Sequence, residues 1–168
     1  LDYAVDKVDP EWFPTAGKTF IETLRGNKEP ITEKNFTQDE IDTIRELIDA
    51  SGGRGSVQYP DYLKVASNRQ KAGKGMSMAI TPSLMSLGDS LGNIQTTLGR
   101  FNYKSDPDNR MVVSDNYDFN TTDKPSAELA SVGGLGPYGV LREYAGRKIP
   151  SGSGRNVQII IDTLRNGK

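Results

Sequence analysis

Thr37 and Glu40 stand three residues apart at the head of a stretch that carries Ile41, Ile44, Leu47 and Ile48. In that spacing the Thr hydroxyl meets a free N–H of the first helical turn and the Glu carboxylate reaches back to the Thr N–H. The four apolar residues then share one helical face, and Ser51-Gly52-Gly53 ends the run. Residues 37–50 are therefore expected to form a helix with one face that must dock on a core. The 168 residues suit one compact domain. With 35% apolar residues and 18 Gly, that core is expected to be modest and its connections long.

The other segments carry weaker local signals. Residues 1–36 show a loose apolar set, Trp12, Phe13, Phe20, Ile21 and Leu24, broken by Pro10, Pro14, Gly26 and Pro30. They are expected to form an irregular N-terminal arm, with a short helix over 17–25, that packs its aromatic residues on a neighbouring surface. Residues 51–82 are polar and Gly-rich, with Tyr59, Tyr62 and Leu63 as anchors and a basic run from Arg69 to Gly75 that reads as a solvated linker. That run has no Gly-x-x-x-x-Gly-Lys-Ser/Thr pattern, so it is no P-loop, though a phosphate-attracting loop is open to it. Leu84, Met85, Leu87 and Leu91 suggest a helix ending near Gly92-Asn93. Residues 94–104 read as a strand, Asp106-Pro107-Asp108-Asn109 as a turn, and Met111-Val112-Val113 as the returning strand of a hairpin. A helix from Pro137 to Gly146 and a C-terminal strand over 157–161 complete the reading.

Composition narrows the chemistry. The chain has neither His nor Cys, which excludes a Ser-His-Asp triad, a Cys-His dyad, a Cys/His zinc site and disulfides. Any metal would be held by oxygen and would be a hard ion. With 21 Lys+Arg against 22 Asp+Glu, no basic field calls for nucleic acid. No run of about 18 apolar residues is present to span a membrane, and no signal peptide is evident. The start at Leu1 is what a processed product or a portion of a longer chain would show.

The segment that could carry chemistry is Val113-Ser114-Asp115-Asn116-Tyr117-Asp118-Phe119-Asn120, expected to leave a strand and enter a polar loop. Two carboxylates three apart with a phenol between them can hold a divalent ion or share a proton if they converge. In a turn, Asp and Asn more commonly cap their own backbone, and the spacing alone leaves both readings open.

The run Asp115-Asn116-Tyr117-Asp118-Phe119-Asn120 resembles the Asp-x-Tyr-Asp-Phe-Asn signature of the colicin M family of bacteriocins. Leu91-Gly92-Asn93-Ile94 before it, then Gly136, Gly139, Leu141, Gly146 and the final β-prone run, are similar in order to that family. The likeness extends over residues 37–165 and is densest over 91–161. It implies an α+β fold: a curved, half-barrel-like antiparallel β-sheet with a few helices, here residues 37–168 behind the arm 1–36. It also implies a Mg²⁺-dependent hydrolase that cuts lipid II between its undecaprenyl chain and its pyrophosphate. Asp115, Tyr117 and Asp118 stand at positions essential in that family, with Asp115 and Asp118 as the metal carboxylates. Arg100 and Arg142 are candidate phosphate contacts.

One departure matters. The family pattern continues to a His and an Arg six and seven positions beyond its second Asp, where this chain has Lys124 and Pro125. A solvated Lys is protonated at neutral pH and cannot act as an imidazole, although it binds phosphate as a point charge. Two expectations follow: an altered hydrolase built on the carboxylates, with Lys124 in the His position, or a non-catalytic interaction domain such as a virion component, with residues 1–36 contacting a partner chain. A module that binds the lipid II head group without cleaving it is a third. No receptor-binding or import segment is recognised, so the expected setting is secreted, virion-borne or periplasmic.

Overall fold

The computed structural model describes residues 14–73, 90–117 and 155–162. Among them, in chain order, are α1 (Pro14–Leu24), a 3-10 turn (Glu33–Asn35), α2 (Gln38–Ala50), β1 (Ser56–Val57), α3 (Tyr59–Lys71), α4 (Ser90–Thr97), β2 (Phe101–Ser105), β3 (Met111–Tyr117) and β4 (Arg155–Ile161). The four strands form one antiparallel sheet in the order β1-β2-β3-β4, so the fold is α+β.

The capped helix forms as its spacing dictates. The Glu40 N–H donates to Thr37 Oγ1 at 3.3 Å, and the Thr37 N–H donates to Glu40 Oε2 at 2.8 Å. Ile44 and Leu47 are fully buried and Ile48 nearly so. Gly52 and Gly53, at φ +66° and +79°, turn the chain out of the helix through backbone that side-chain-bearing residues avoid. The Glu40 carboxylate also accepts a 2.8 Å bond from Thr15 Oγ1, which ties α1 to the start of α2.

The sheet turns one face to the helices. Along β4, burial alternates residue by residue, with Arg155, Val157, Ile159 and Ile161 inward. Val157, Ile159 and Ile161 join Val57, Phe101, Tyr103 and Val113 from the other strands in a core closed by Ile44, Leu47, Tyr62, Val65, Leu91, Ile94 and Leu98. Each fully buried Val, Leu, Ile or Phe side chain contributes about 1.5–3 kcal/mol of transfer free energy. Ile31 pairs in parallel with Val157: its N–H donates to Asn156 O at 2.8 Å, and its carbonyl accepts from the Gln158 N–H at 2.9 Å. That bridge occupies the outer edge of β4 and blunts a strand edge open to pairing.

Several expected elements are different here. The described part of the expected arm, residues 14–36, is a helix packed on α4, a 3-10 turn and the Ile31 bridge, so it belongs to the same packed unit as the sheet. The stretch read as a polar linker holds α3, whose last turn includes Arg69 and Lys71. Residues 94–97 are helical, and β2 starts only at Phe101. The reason is packing: Leu91, Ile94 and Leu98 recur at helical spacing and are all buried, which outweighs the imperfect alternation. The expected helix over 137–146 and the residues Leu84, Met85 and Leu87 lie outside the described residues. Among the described residues no helix is long and apolar enough to cross a membrane.

Candidate functional site

β3 leaves a hairpin turn built by Asp106. Its Oδ1 accepts from the N–H of Asp108 (3.0 Å) and of Arg110 (2.8 Å), and its Oδ2 accepts from Arg110 Nε (2.8 Å). Asn109 takes φ +62°, a conformation Asn tolerates better than most residues. The turn sets the register Ser105↔Met111 to Asn102↔Ser114, and β4 continues it from Met111↔Ile161 to Tyr117↔Arg155.

That register places Asp115, Asn116 and Tyr117 within a paired strand, where a polar loop was expected. The correction has a physical consequence. Strand alternation puts Ser114 and Asn116 outward and exposed, and it puts Asp115, half-buried, on the helix-facing side with Val113. Asp115 lies opposite Val157 on β4. It is close enough to Tyr62 of α3 to act on that phenol. Burial first, then the charges of Asp115 and Asp61, push the Tyr62 phenol far above the ordinary tyrosine value and keep it protonated.

Neighbouring groups are committed to structure. Tyr62 Oη donates to Gly99 O at 2.5 Å. Gly99 (φ +59°) follows α4 and leads toward β2, so Tyr62 pins the entry to the hairpin. Asp61 accepts from the Gln58 N–H at 2.8 Å as the third residue of α3, and it pairs with Arg54. Asp61 is thus a helix cap, and Tyr62 lies within electrostatic reach of Asp115.

Two ladder positions beyond Asp115, Tyr117 is the register partner of Arg155. The Arg155 side chain is 2% exposed. Its Nε donates to Glu29 O at 2.7 Å, and its Nη1 lies 3.2 Å from Glu22 Oε2, joining β4 to α1 and to the segment before Ile31. A charge this deeply buried is costly unless it is paired and hydrogen-bonded, and these partners meet that need. Of the other expected site residues, Arg100 is exposed beside Gly99, and Asp118, Lys124 and Arg142 lie outside the described residues. Within the basic run, Arg69 is engaged: it bonds Glu46 Oε2 (2.8 Å), Thr43 Oγ1 (2.7 Å) and Ser90 Oγ (3.3 Å), linking α2, α3 and α4.

A Mg²⁺ ion takes near-octahedral oxygen ligands, commonly one or two carboxylates completed by water and substrate phosphate. Asp115 fits as one such carboxylate by its chemistry and its partial burial. Among the described residues, no group of three acids is gathered as a ready-made metal cage.

The sequence reading passed over Arg155 and treated Tyr62 only as an anchor. Both had signals. Arg155 shares the period-2 face of Val157, Ile159 and Ile161, which marks it as inward. Gln58 and Asp61 around Pro60 make a helix start that would have put Tyr62 in the first turn of α3. No family model, no curated protein and no solved structure matches this chain.

Proposed function

We propose that the chain is a Mg²⁺-dependent phosphodiesterase-type hydrolase acting on lipid II or a related polyprenyl pyrophosphate-linked sugar. The reading adds a colicin M-like half-barrel scaffold and a secreted, virion-borne or periplasmic setting. It rests on the signature resemblance and on one observation: Asp115 occupies an inward position that core packing would give to an apolar residue. An acid carried there, half-buried beside a deeply buried phenol, is the kind of placement that functional sites retain.

In this reading water adds its hydroxyl to the phosphorus attached to the prenol oxygen. That P–O bond breaks, and the prenol leaves with a proton. Asp115 orients the water and accepts its proton. Tyr117 donates to a phosphoryl oxygen, and Asp118 completes the carboxylate pair. Lys124, Arg100 and Arg142 attract the pyrophosphate by charge. Asp115 and Asp118 would hold Mg²⁺, which would supply charge neutralisation for the pyrophosphate. Tyr62 stays protonated and structural, bonded to Gly99 O.

Incubating the chain with radiolabelled lipid II and Mg²⁺, then counting water-soluble pyrophosphoryl sugar, tests this. Asp115→Asn should lower the rate by at least about 100-fold, the scale of losing an acid–base group, with an unchanged melting temperature. Absence of soluble product at high protein concentration across the pH range would sink the hydrolase. Intact lipid II recovered in complex with the chain would then favour a binding domain.

A further inference from the structure

We infer that the outer face of the sheet, opposite Asp115, is a binding surface for a neutral oligosaccharide of N-acetylated sugars. The strand register aligns Ser56, Asn102, Ser114 and Gln158 in one row across all four strands, with Asn116 and Asn156 paired in the neighbouring position. Ser56 is half-buried and the other five are exposed. At a strand spacing of about 4.8 Å the row is about 14 Å across, the dimension of a short oligosaccharide. Beyond β1 the same chemistry continues, because Gln58 Nε2 donates to Ser56 Oγ at 3.3 Å. The next residue, Tyr59, is 38% exposed.

A merely solvated sheet face does not call for this composition. Asn is depleted in strands, yet three of the six positions are Asn. Exposed sheet surfaces are ordinarily kept soluble by charged side chains, and none of the six carries a charge. The next position along is different: there Lys104, Val112 and Ile160 are aligned.

The chemistry of the row selects its ligand. A phosphate or nucleic acid would need cations there, and an amphipathic helix would need an apolar stripe. Side-chain amides and hydroxyls each donate and accept, which matches sugar hydroxyls and, for N-acetylated sugars, a second amide. Tyr59, the residue after Gln58, is partly exposed and carries a flat apolar ring with a polar tip. This surface lies on the side of the sheet away from Asp115 and does not depend on the hydrolase reading.

The test is an amide-shift titration of the ¹⁵N-labelled full chain with soluble N-acetylglucosamine trimer. Shifts are expected at residues 102, 114, 116, 156 and 158, with Asp115→Asn binding as tightly as wild type. Asn102→Ala combined with Gln158→Ala should weaken binding about tenfold, the scale of one or two neutral hydrogen bonds. Ser114→Arg, a single exposed change that leaves the ladder bonds in place, should block the middle of the row and abolish the shifts. The inference fails if millimolar trimer moves no outer-face amide or if the shifts centre on Val113 and Asp115. It also fails if inorganic pyrophosphate moves the same outer row as strongly.

Discussion

The β2–β3 hairpin carries ionised groups at both ends, and the two ends are held in opposite ways. At the turn, Asp106 and Arg110 sit four residues apart and satisfy one another through short local bonds, with the Arg110 side chain 40% exposed. At the other end, Asp115 and Tyr117 meet residues brought from far along the chain: Val157 and Arg155 on β4, and Tyr62 on α3. The Arg155 side chain, at 2% exposure, takes its carboxylate from α1. The turn could form in an isolated hairpin. The open end exists only when α1, α3 and β4 are all in place.

The contrast teaches where charge is cheap. An exposed ion pair in a turn contributes little because water serves both partners nearly as well. A buried guanidinium contributes little by itself either, but it makes every partner obligatory, since an unpaired charge in the core is costly. The open end should therefore respond sharply to substitution and the turn end mildly.

The largest expected effect is at Arg155. Arg155→Met should lower unfolding free energy by about 3 kcal/mol, the low end for breaking a buried pair, because the 31%-exposed Glu22 left behind can rehydrate. Glu22→Ala should cost as much or more, since it removes a carboxylate from a guanidinium that cannot reach water. Urea midpoints at constant slope measure both. Equal losses for Arg155→Met and Arg110→Met would erase the distinction between the two ends.

Next comes Tyr62. Its folded-state phenol titrates above its unfolded value of about 10, so the folded chain holds the proton more tightly. The stability it supplies is complete below about pH 10 and falls as pH rises above that value. Alkaline melting curves should show that loss in the wild type and a flatter profile in Tyr62→Phe. At neutral pH the same variant should cost about 1–2 kcal/mol, because Gly99 O loses its donor.

Thr37→Ala probes a local device at the head of α2 and should cost about 1 kcal/mol by thermal melting. The smallest effect belongs to the turn. The Arg110 backbone N–H, then the Arg110 side chain and the Asp108 N–H, hold the Asp106 carboxyl below its ordinary value. Its stabilisation is present above the unfolded carboxylate value of about 4 and is lost as pH falls through the lower folded value. Asp106→Asn should remove that acid-side slope and lower neutral-pH stability slightly, bringing it toward the wild-type value at acid pH.

How much could be read beforehand follows the same division. The capped helix, the Asp106 turn and the β4 run were legible because their signals are a few residues long and their bonds close locally. α3 was hidden: Gly52, Gly53 and Gly55 just before it read as linker, and its Gln58–Asp61 cap is less conspicuous than Thr37–Glu40. Residues 94–97 carry both a helical and an alternating pattern, and burial of Leu91, Ile94 and Leu98 against the other elements selects the helix. At the candidate site, Asp115 was singled out by its motif, but its strand placement was not. That placement depends on pairing with a strand that begins at Arg155.

The sequence by itself determined the elements whose hydrogen bonds close within about four residues, the exclusion of His and Cys chemistry, and the acid-and-phenol motif worth testing. Only the tertiary structure decided which way Asp115 faces, that Tyr62 stands beside it, and that Arg155 is buried with Glu22. Those outcomes rest on partners separated by as much as 133 positions along the chain. Such contacts form only when the whole core excludes water, and no short stretch of sequence carries that condition.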